Sequence, residues 1–214
     1  MQRHLLTIAA LALVALGTVP AAAQETGWIV RIHGASVTPL FGVSDFESEV
    51  PVGIGTGTAV GAGATLEYRA GSRIGLSLDA LHARPPIELM AELPDGARRS
   101  SDTLGFTPFT IGPVFHVTPG RPVDLTLTAM LGLAAYSDLR FADSAQTLRL
   151  QGSRGFGWGL GAAIDIAPGA TPWAIHVCLR RYQATVAFTN RDNGAAEEVA
   201  ISPVVVVFGV GYRF

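Results

Sequence analysis

From Val123 to Leu133 every second residue is apolar: Val123, Leu125, Leu127, Ala129, Leu131 and Leu133. The residues between them are Asp124, Thr126, Thr128, Met130 and Gly132. A period of two held over ten residues describes an extended strand with one apolar face. The pattern recurs in Ile74, Leu76, Leu78 and Ala80 against Arg73, Gly75, Ser77 and Asp79. It returns in Phe156, Trp158, Leu160, Ala162, Ile164 and Ile166 against Gly155, Gly157, Gly159, Gly161, Ala163 and Asp165. Trp173, Ile175, Val177 and Leu179 alternate with Ala174, His176, Cys178 and Arg180, and Val204 to Phe214 repeats the scheme. One face of each strand is apolar, and the other is small or polar.

Composition decides which face meets what. Hydrophobic residues make up 49% of the 214 and charged residues only 15%, below the roughly 25% of soluble domains. All fifteen cations are Arg, which excludes lysine Schiff-base chemistry and the Gly-Lys-Ser/Thr phosphate loop. A net charge of −2 lacks the basic footprint of a nucleic-acid binder. Residues 1–23 read as a cleavable signal peptide: Arg3, an apolar Leu5–Leu16 segment, the breakers Thr18 and Pro20, and Ala21-Ala22-Ala23. Beyond Ala23 no apolar run approaches the 20 residues of a membrane helix. An exported, apolar chain without apolar helices is expected to be a closed membrane barrel, since only that alternative pairs every backbone group in lipid. A soluble lipocalin-like barrel would reverse the polarity of the two faces.

Three further segments, Trp28–Val37, Thr58–Tyr68 and Thr103–Val117, bring the strands to eight. The expectation is an all-β, eight-stranded antiparallel up-and-down transmembrane β-barrel spanning residues 24–214. Short turns at 69–72, 118–122 and 167–171 are expected on the periplasmic side. Long polar loops at 38–57, 83–102, 137–153 and 185–200 are expected outside. Trp28, Tyr68, Trp173 and Tyr212 fit a periplasmic-side aromatic girdle, and Phe46, Phe106 and Tyr136 an outer one. Phe208, Val210, Tyr212 and the last residue Phe214 look like the signal read by the outer-membrane assembly machinery.

Several segments resemble the OmpW family of small outer-membrane barrels. They are Gly27-Trp28-Ile29-Val30-Arg31, the run from Ile74 through Ala83-Arg84-Pro85, Gly155–Ile166, Trp173–Tyr182 and the ending Val207–Phe214. The chain departs in having Arg84 where the family usually has Thr, and Phe156 where a Trp is frequent. The resemblance implies a narrow barrel that passes or binds small hydrophobic compounds through an apolar constriction at Leu81 and Phe156. Alternation points Leu81 inward with Ser77 and Asp79 but puts Phe156 in phase with the outward Trp158 and Leu160.

The inward phase also collects Arg31, His33, Glu67, Arg73, Asp79, Asp124, Asp165, His176, Arg180 and Arg213. Glu67, Arg73, Asp124, Asp165 and Arg213 lie near the turns, so they should gather at that end. In so narrow a lumen they would pair, either as a plug against leakage or as a structural network. The inward glycines 155, 157, 159 and 161 leave either a cavity or room for a bulky neighbour. No catalysis, cofactor or metal is expected. His33 and Ser36 point to opposite faces, and the histidines at 33, 82, 116 and 176 are too dispersed for a metal motif. Cys178 has no partner for a disulfide. The partners expected are outer-membrane lipids, lipopolysaccharide, the assembly machinery and small hydrophobic ligands. The competing expectation is a plugged barrel working through loops that carry Asp45, Glu47, Glu49, Arg98 and Arg99.

Overall fold

The computed structural model describes residues 26–42, 52–93, 96–142, 147–168, 171–192 and 194–214. The signal segment 1–23 lies outside them, as do Asp45, Phe46, Glu47 and Glu49. Eight long strands form the wall: β1 (Gly27–Thr38), β2 (Ala59–Arg69), β3 (Ile74–Ala83), β4 (Phe106–His116), β5 (Val123–Tyr136), β6 (Arg154–Ile166), β7 (Trp173–Asn190) and β8 (Val204–Arg213). Each pairs antiparallel with the next, and β8 returns to β1 from Ile29↔Arg213 to Thr38↔Val204. The sheet is closed, so none of the eight is left with a free edge.

The alternation maps directly onto the wall. On β4 the even residues from Phe106 to His116 are buried and the odd ones exposed. Outside, Ile32, Leu76, Phe109, Leu131, Leu160, Ile175 and Phe208 present an apolar surface that would aggregate in water but suits a bilayer. Near the turns, Trp28 stacks on Tyr68 at 4.9 Å and Trp173 meets Tyr212 at 4.8 Å. This belt is uneven in height. From the paired level Ile166↔Ile175, the outward residues of β6 stay apolar to Phe156, whereas β7 reaches Arg181 and Gln183 just past Leu179.

At the turn end, β2–β3, β4–β5 and β6–β7 are joined by short connections. Gly120 adopts φ 73° between β4 and β5, where glycine carries no steric cost. At the opposite end the expected loops contain more regular structure than their polarity suggested. Val52–Thr56, Pro86–Leu93 and Gly96–Thr103 form a three-stranded sheet. Leu139–Ala142 pairs with Thr147–Gln151, and β7 runs on to Asn190 to pair with Ala196–Ile201. Their apolar residues Ile87, Leu139, Phe141, Phe188 and Ile201 are buried with the inward residues of the barrel, so the apolar core rises beyond the eight-stranded wall.

Two expectations about aromatic positions are corrected. Phe106 and Tyr136 belong to no outer girdle: both point inward, 2% and 6% exposed, with ring centroids 5.5 Å apart. Phe156 does not face the lumen. It is 63% exposed on the outer wall, because no bulge shifts the two-residue period of β6, which pairs with β5 without interruption from Arg154↔Ala135 to Ile166↔Val123.

An outward Leu127→Arg substitution, midway along β5, is expected to lower barrel stability in lipid by about 2–4 kcal/mol. Denaturant unfolding from phospholipid vesicles measures this. A loss below about 0.5 kcal/mol would show that Leu127 does not face hydrocarbon.

Candidate functional site

The interior divides along its length. Toward the turn end it is ionic. Arg31 on β1 reaches across the lumen, with Nη1 2.7 Å from Glu67 Oε2 on β2 and Nη2 2.7 Å from Asp165 Oδ2 on β6. Asp165 Oδ1 is bound at 2.8 Å by His176 Nδ1 on β7. His116 on β4 lies between two carboxylates, with Nε2 2.7 Å from Glu67 Oε1 and Nδ1 2.7 Å from Asp124 Oδ2. Arg69 Nη2 approaches Asp124 at 3.7 Å. One layer further in, Arg180 Nη1 on β7 crosses to Asp79 Oδ2 on β3 at 2.6 Å, and Thr65 donates to the same oxygen. Tyr182 donates its hydroxyl to Asp79 Oδ1 at 3.4 Å.

Carboxylates only accept, so His116 satisfies both bonds when both ring nitrogens carry protons. Among the described residues the buried arginines are Arg31, Arg69 and Arg180 and the buried carboxylates Glu67, Asp79, Asp124 and Asp165, and a doubly protonated His116 makes the fourth cation. Four against four leaves the plug neutral, as burial in a narrow lumen requires. A small polar void, with room for one or two waters, remains among Arg31, Thr65, Asp79, Thr126, His176 and Arg180.

Arg73 and Arg213 are corrections to the expected network. Both share the inward phase, but both are exposed, because they lie where the wall ends and their side chains reach solvent. His33 is buried on the inner face between Gly63 and Gly209, and neither ring nitrogen has a hydrogen-bond partner. His116 and Arg69 are functional-site residues that sequence reasoning missed. Parity from Phe106 and from Glu67 would have found both, had β4 and the end of β2 been phased.

Toward the loop end the lumen is apolar. Leu81, 2% exposed, packs in one core with Val37, Phe106, Met130, Tyr136, Tyr182 and Val205. The glycine stripe of β6 is covered by bulky neighbours: a Cβ on Gly159 would lie 3.0 Å from Tyr182 and 3.3 Å from Met130. Higher up, a narrow void with room for about one water lies beside Phe106, Pro108, Thr110, Gly132, Ala134, Tyr136, Gly157, Tyr182 and Ala184. Thr110, Gly132, Gly157 and Ala184 form one register row across β4, β5, β6 and β7. Backbone crowding keeps the row small: a Cβ at Gly157 would sit 2.8 Å from the carbonyl of Gln183, and one at Gly132 would collide with that of Phe109.

The wall beside this apolar region is incomplete. Proline has no N–H to give a ladder. The β3–β4 register is broken between Ala80↔Phe109 and Ala83↔Phe106, at the level of Leu81 and Pro108. On the outer surface His82 Nδ1 and Thr107 Oγ1, 2.8 Å apart, bridge the gap through side chains. Pro113 makes a second break, on the β5 side, between Ile111↔Leu131 and Val114↔Thr128.

The model of the outer membrane protein beta-barrel domain family matches residues 9–214. Among solved structures, OprG from Pseudomonas aeruginosa superposes with a TM-score of 0.65 at 12% identity, covering 89% of this chain and 97% of that one. The outer membrane protein AlkL, solved in lipid bilayers, superposes at 0.52 with 16% identity over 92% and 94%. Ail of Yersinia pestis, in complex with the heparin analogue sucrose octasulfate, superposes at 0.51 with 16% identity over 89% and 99%. At these identities the likeness is one of fold. No curated protein matches the sequence.

Replacing Arg31 by Met strands Glu67 and Asp165 without their shared cation and is expected to cost about 3–5 kcal/mol. Adding Glu67→Gln and Asp165→Asn should restore most of that loss. Equilibrium unfolding of the two variants in the same lipid tests the pairing, and equal stabilities would refute it.

Proposed function

The chain belongs to the outer membrane protein beta-barrel domain family, and within that bacterial outer-membrane class we propose that it is a narrow, non-catalytic conduit or binding pocket for small hydrophobic molecules. One observation carries the reading. The Arg31–Glu67–Asp165 and Arg180–Asp79 pairs cross the lumen in two ionic layers, and the apolar part of the interior, with a small void in it, lies directly above them. A solute entering from the apolar end meets charge if it continues along the axis. The break between Leu81 and Pro108 opens the alternative of leaving sideways into the membrane. Leu81 is the gate residue in this reading, and the finer kinship is to the OmpW type. Phe156 keeps only a lipid contact.

The orientation belongs to the same proposal: residues 1–23 direct export, the turns face the periplasm and the strand-rich end faces outward. Phe208, Val210, Tyr212 and Phe214 are proposed as the assembly signal, and lipopolysaccharide as the surrounding lipid. A second reading has support of its own. Arg84, Arg99, Arg140, Arg149 and Arg154 are exposed at the strand-rich end, which suits contact with anionic surface partners while the lumen stays plugged.

Entry of toluene across an asymmetric lipopolysaccharide–phospholipid bilayer separates the two readings. The barrel is expected to raise the rate several-fold with little ion conductance. Leu81→Ala should raise it further, and Ala184→Leu, which narrows the apolar part of the lumen, should lower it. A rate unaffected by the barrel would leave the loop-based reading in possession.

A further inference from the structure

The hairpin of Leu139–Ala142 and Thr147–Gln151, which prolongs β5 and β6 beyond the wall, sets arginine against arginine. Arg140 and Arg149 are direct partners across its ladder, and both are exposed. Like charges placed opposite each other destabilise a strand pair, so the arrangement calls for an anion between them. Arg191 extends the row, its N–H donating to the Arg149 carbonyl at 3.0 Å. The carboxylates bonded into this hairpin are already engaged. Asp138 holds the Arg191 guanidinium at 2.6 Å and accepts the Gly152 N–H, and Asp102 accepts the N–H groups of Thr103 and Arg140. Glu88 and Glu198 lie two strands away on either side. Arg140, Arg149 and the exposed Arg154 at the start of β6 have no ion-pair partner among the described residues.

The height of this face in the bilayer follows from the apolar column beneath it. From Ile166 to Phe156, β6 advances ten residues, about 33 Å of strand, which a tilt of about 40° reduces to about 25 Å of height. That is about the thickness of the apolar band of an outer-membrane barrel. Phe156 therefore stands at the limit of the band, and Arg154 emerges at the level of the headgroups. Arg154, Ala135 and Thr107 form one outward row across β6, β5 and β4. The next outward row, one step lower along the strands, is Phe156, Leu133 and Phe109, at 63%, 52% and 60% exposure. An apolar shelf three strands wide thus lies under the unpaired guanidiniums.

We propose that this face binds a phosphorylated, multiply acylated lipid of the outer leaflet, the lipid A part of lipopolysaccharide. Its phosphoryl groups sit on Arg140, Arg149 and Arg154, and its acyl chains lie on Phe156, Leu133 and Phe109. Guanidinium and phosphate pair through two parallel N–H···O bonds, and a phosphoryl group between Arg140 and Arg149 removes their mutual repulsion. A zwitterionic phospholipid serves poorly, because its ammonium group enters the same cationic face. A soluble anion reaches the arginines but gains nothing from the shelf. The inference rests on the outward orientation of the strand-rich end proposed above and gives the anionic partner of the second reading a chemical class. It holds whether or not the lumen passes solutes.

The test is native mass spectrometry of the full barrel in detergent micelles with EDTA, which removes the divalent cations that otherwise bridge phosphates. The barrel is incubated with lipid A, with its dephosphorylated form or with phosphatidylethanolamine. One bound lipid A per barrel is expected, with about ten-fold weaker retention of the other two lipids. Arg140→Gln with Arg149→Gln and Arg154→Gln should reduce lipid A retention about ten-fold. Arg73→Gln with Arg121→Gln and Arg213→Gln removes equal charge at the turn end and should leave retention unchanged. The gel shift on heating shows that both triple variants are folded. Equal retention of the dephosphorylated lipid, or equal losses in the two triple variants, overturns the phosphate site. Inorganic pyrophosphate binding as tightly as lipid A overturns the assignment to a lipid. Labelling of Asp192→Cys in intact cells by an impermeant maleimide reads the orientation separately. An unlabelled cysteine there overturns the outer-leaflet partner and spares the phosphate site.

Discussion

Everything in this molecule follows from the rule that a backbone crossing hydrocarbon must bond to itself. Eight strands satisfy the rule by closing β8 onto β1, and closure at that strand number leaves an interior only wide enough for side chains. The inward residues therefore meet one another whatever their chemistry. Arg31 and Asp165, 134 residues apart in sequence, become bonded neighbours because a short strand repeat places both on the inner wall near one end. The ionic layers are a consequence of this geometry: charges on the inner wall reach neither water nor lipid, so they persist only in matched sets.

How much of this could be read beforehand depends on what a two-residue period encodes. Parity distinguishes inside from outside, and it does so for Leu81, Asp79, Asp165, His176 and Arg180 with no other information. It does not say where the wall stops, which is why Arg73 and Arg213 share the inward phase yet extend into solvent. Parity also outranked family resemblance at Phe156, whose outward position follows from the unbroken β5–β6 ladder. Phe106 and His116 were obscured for a different reason, whereas Tyr136 simply continues the inward parity of Asp124 and Met130 on β5. Pro108 and Pro113 interrupt the β-propensity of their strand, so its phase was harder to assign than that of Val123–Leu133. The strands beyond the wall were hidden because no lipid lies against them. Pro86–Leu93 places its apolar Ile87 inward and leaves its polar Glu88 exposed, the reverse of the membrane pattern.

The two breaks in the ladder sit on the same strand and on opposite sides of it. Neighbouring residues in a strand direct their backbone bonds to opposite partners, so prolines at an even and an odd position weaken β4 toward β3 and β5 respectively. The β3 side is spanned by His82 and Thr107, a bond between two side chains that can part without disturbing the rest of the ladder. The gap spanned by His82 and Thr107 thus lies beside the apolar contents, one inward position beyond Asp79.

The uneven apolar belt has a consequence for posture. A bilayer offers nearly constant thickness around a protein, while this barrel offers a tall apolar flank on β6 and a short one on β7, where Arg181 and Gln183 begin. The mismatch is relieved when the axis inclines to sink the taller flank, or when lipid beside β7 thins to meet the guanidinium. Inclination fixes which flank of the barrel leans into the bilayer, and thinning singles out the lipid beside β7. The barrel's lipid neighbours then differ from one flank to the other, and the gap in the ladder between β3 and β4 lies on a fixed side of that tilt.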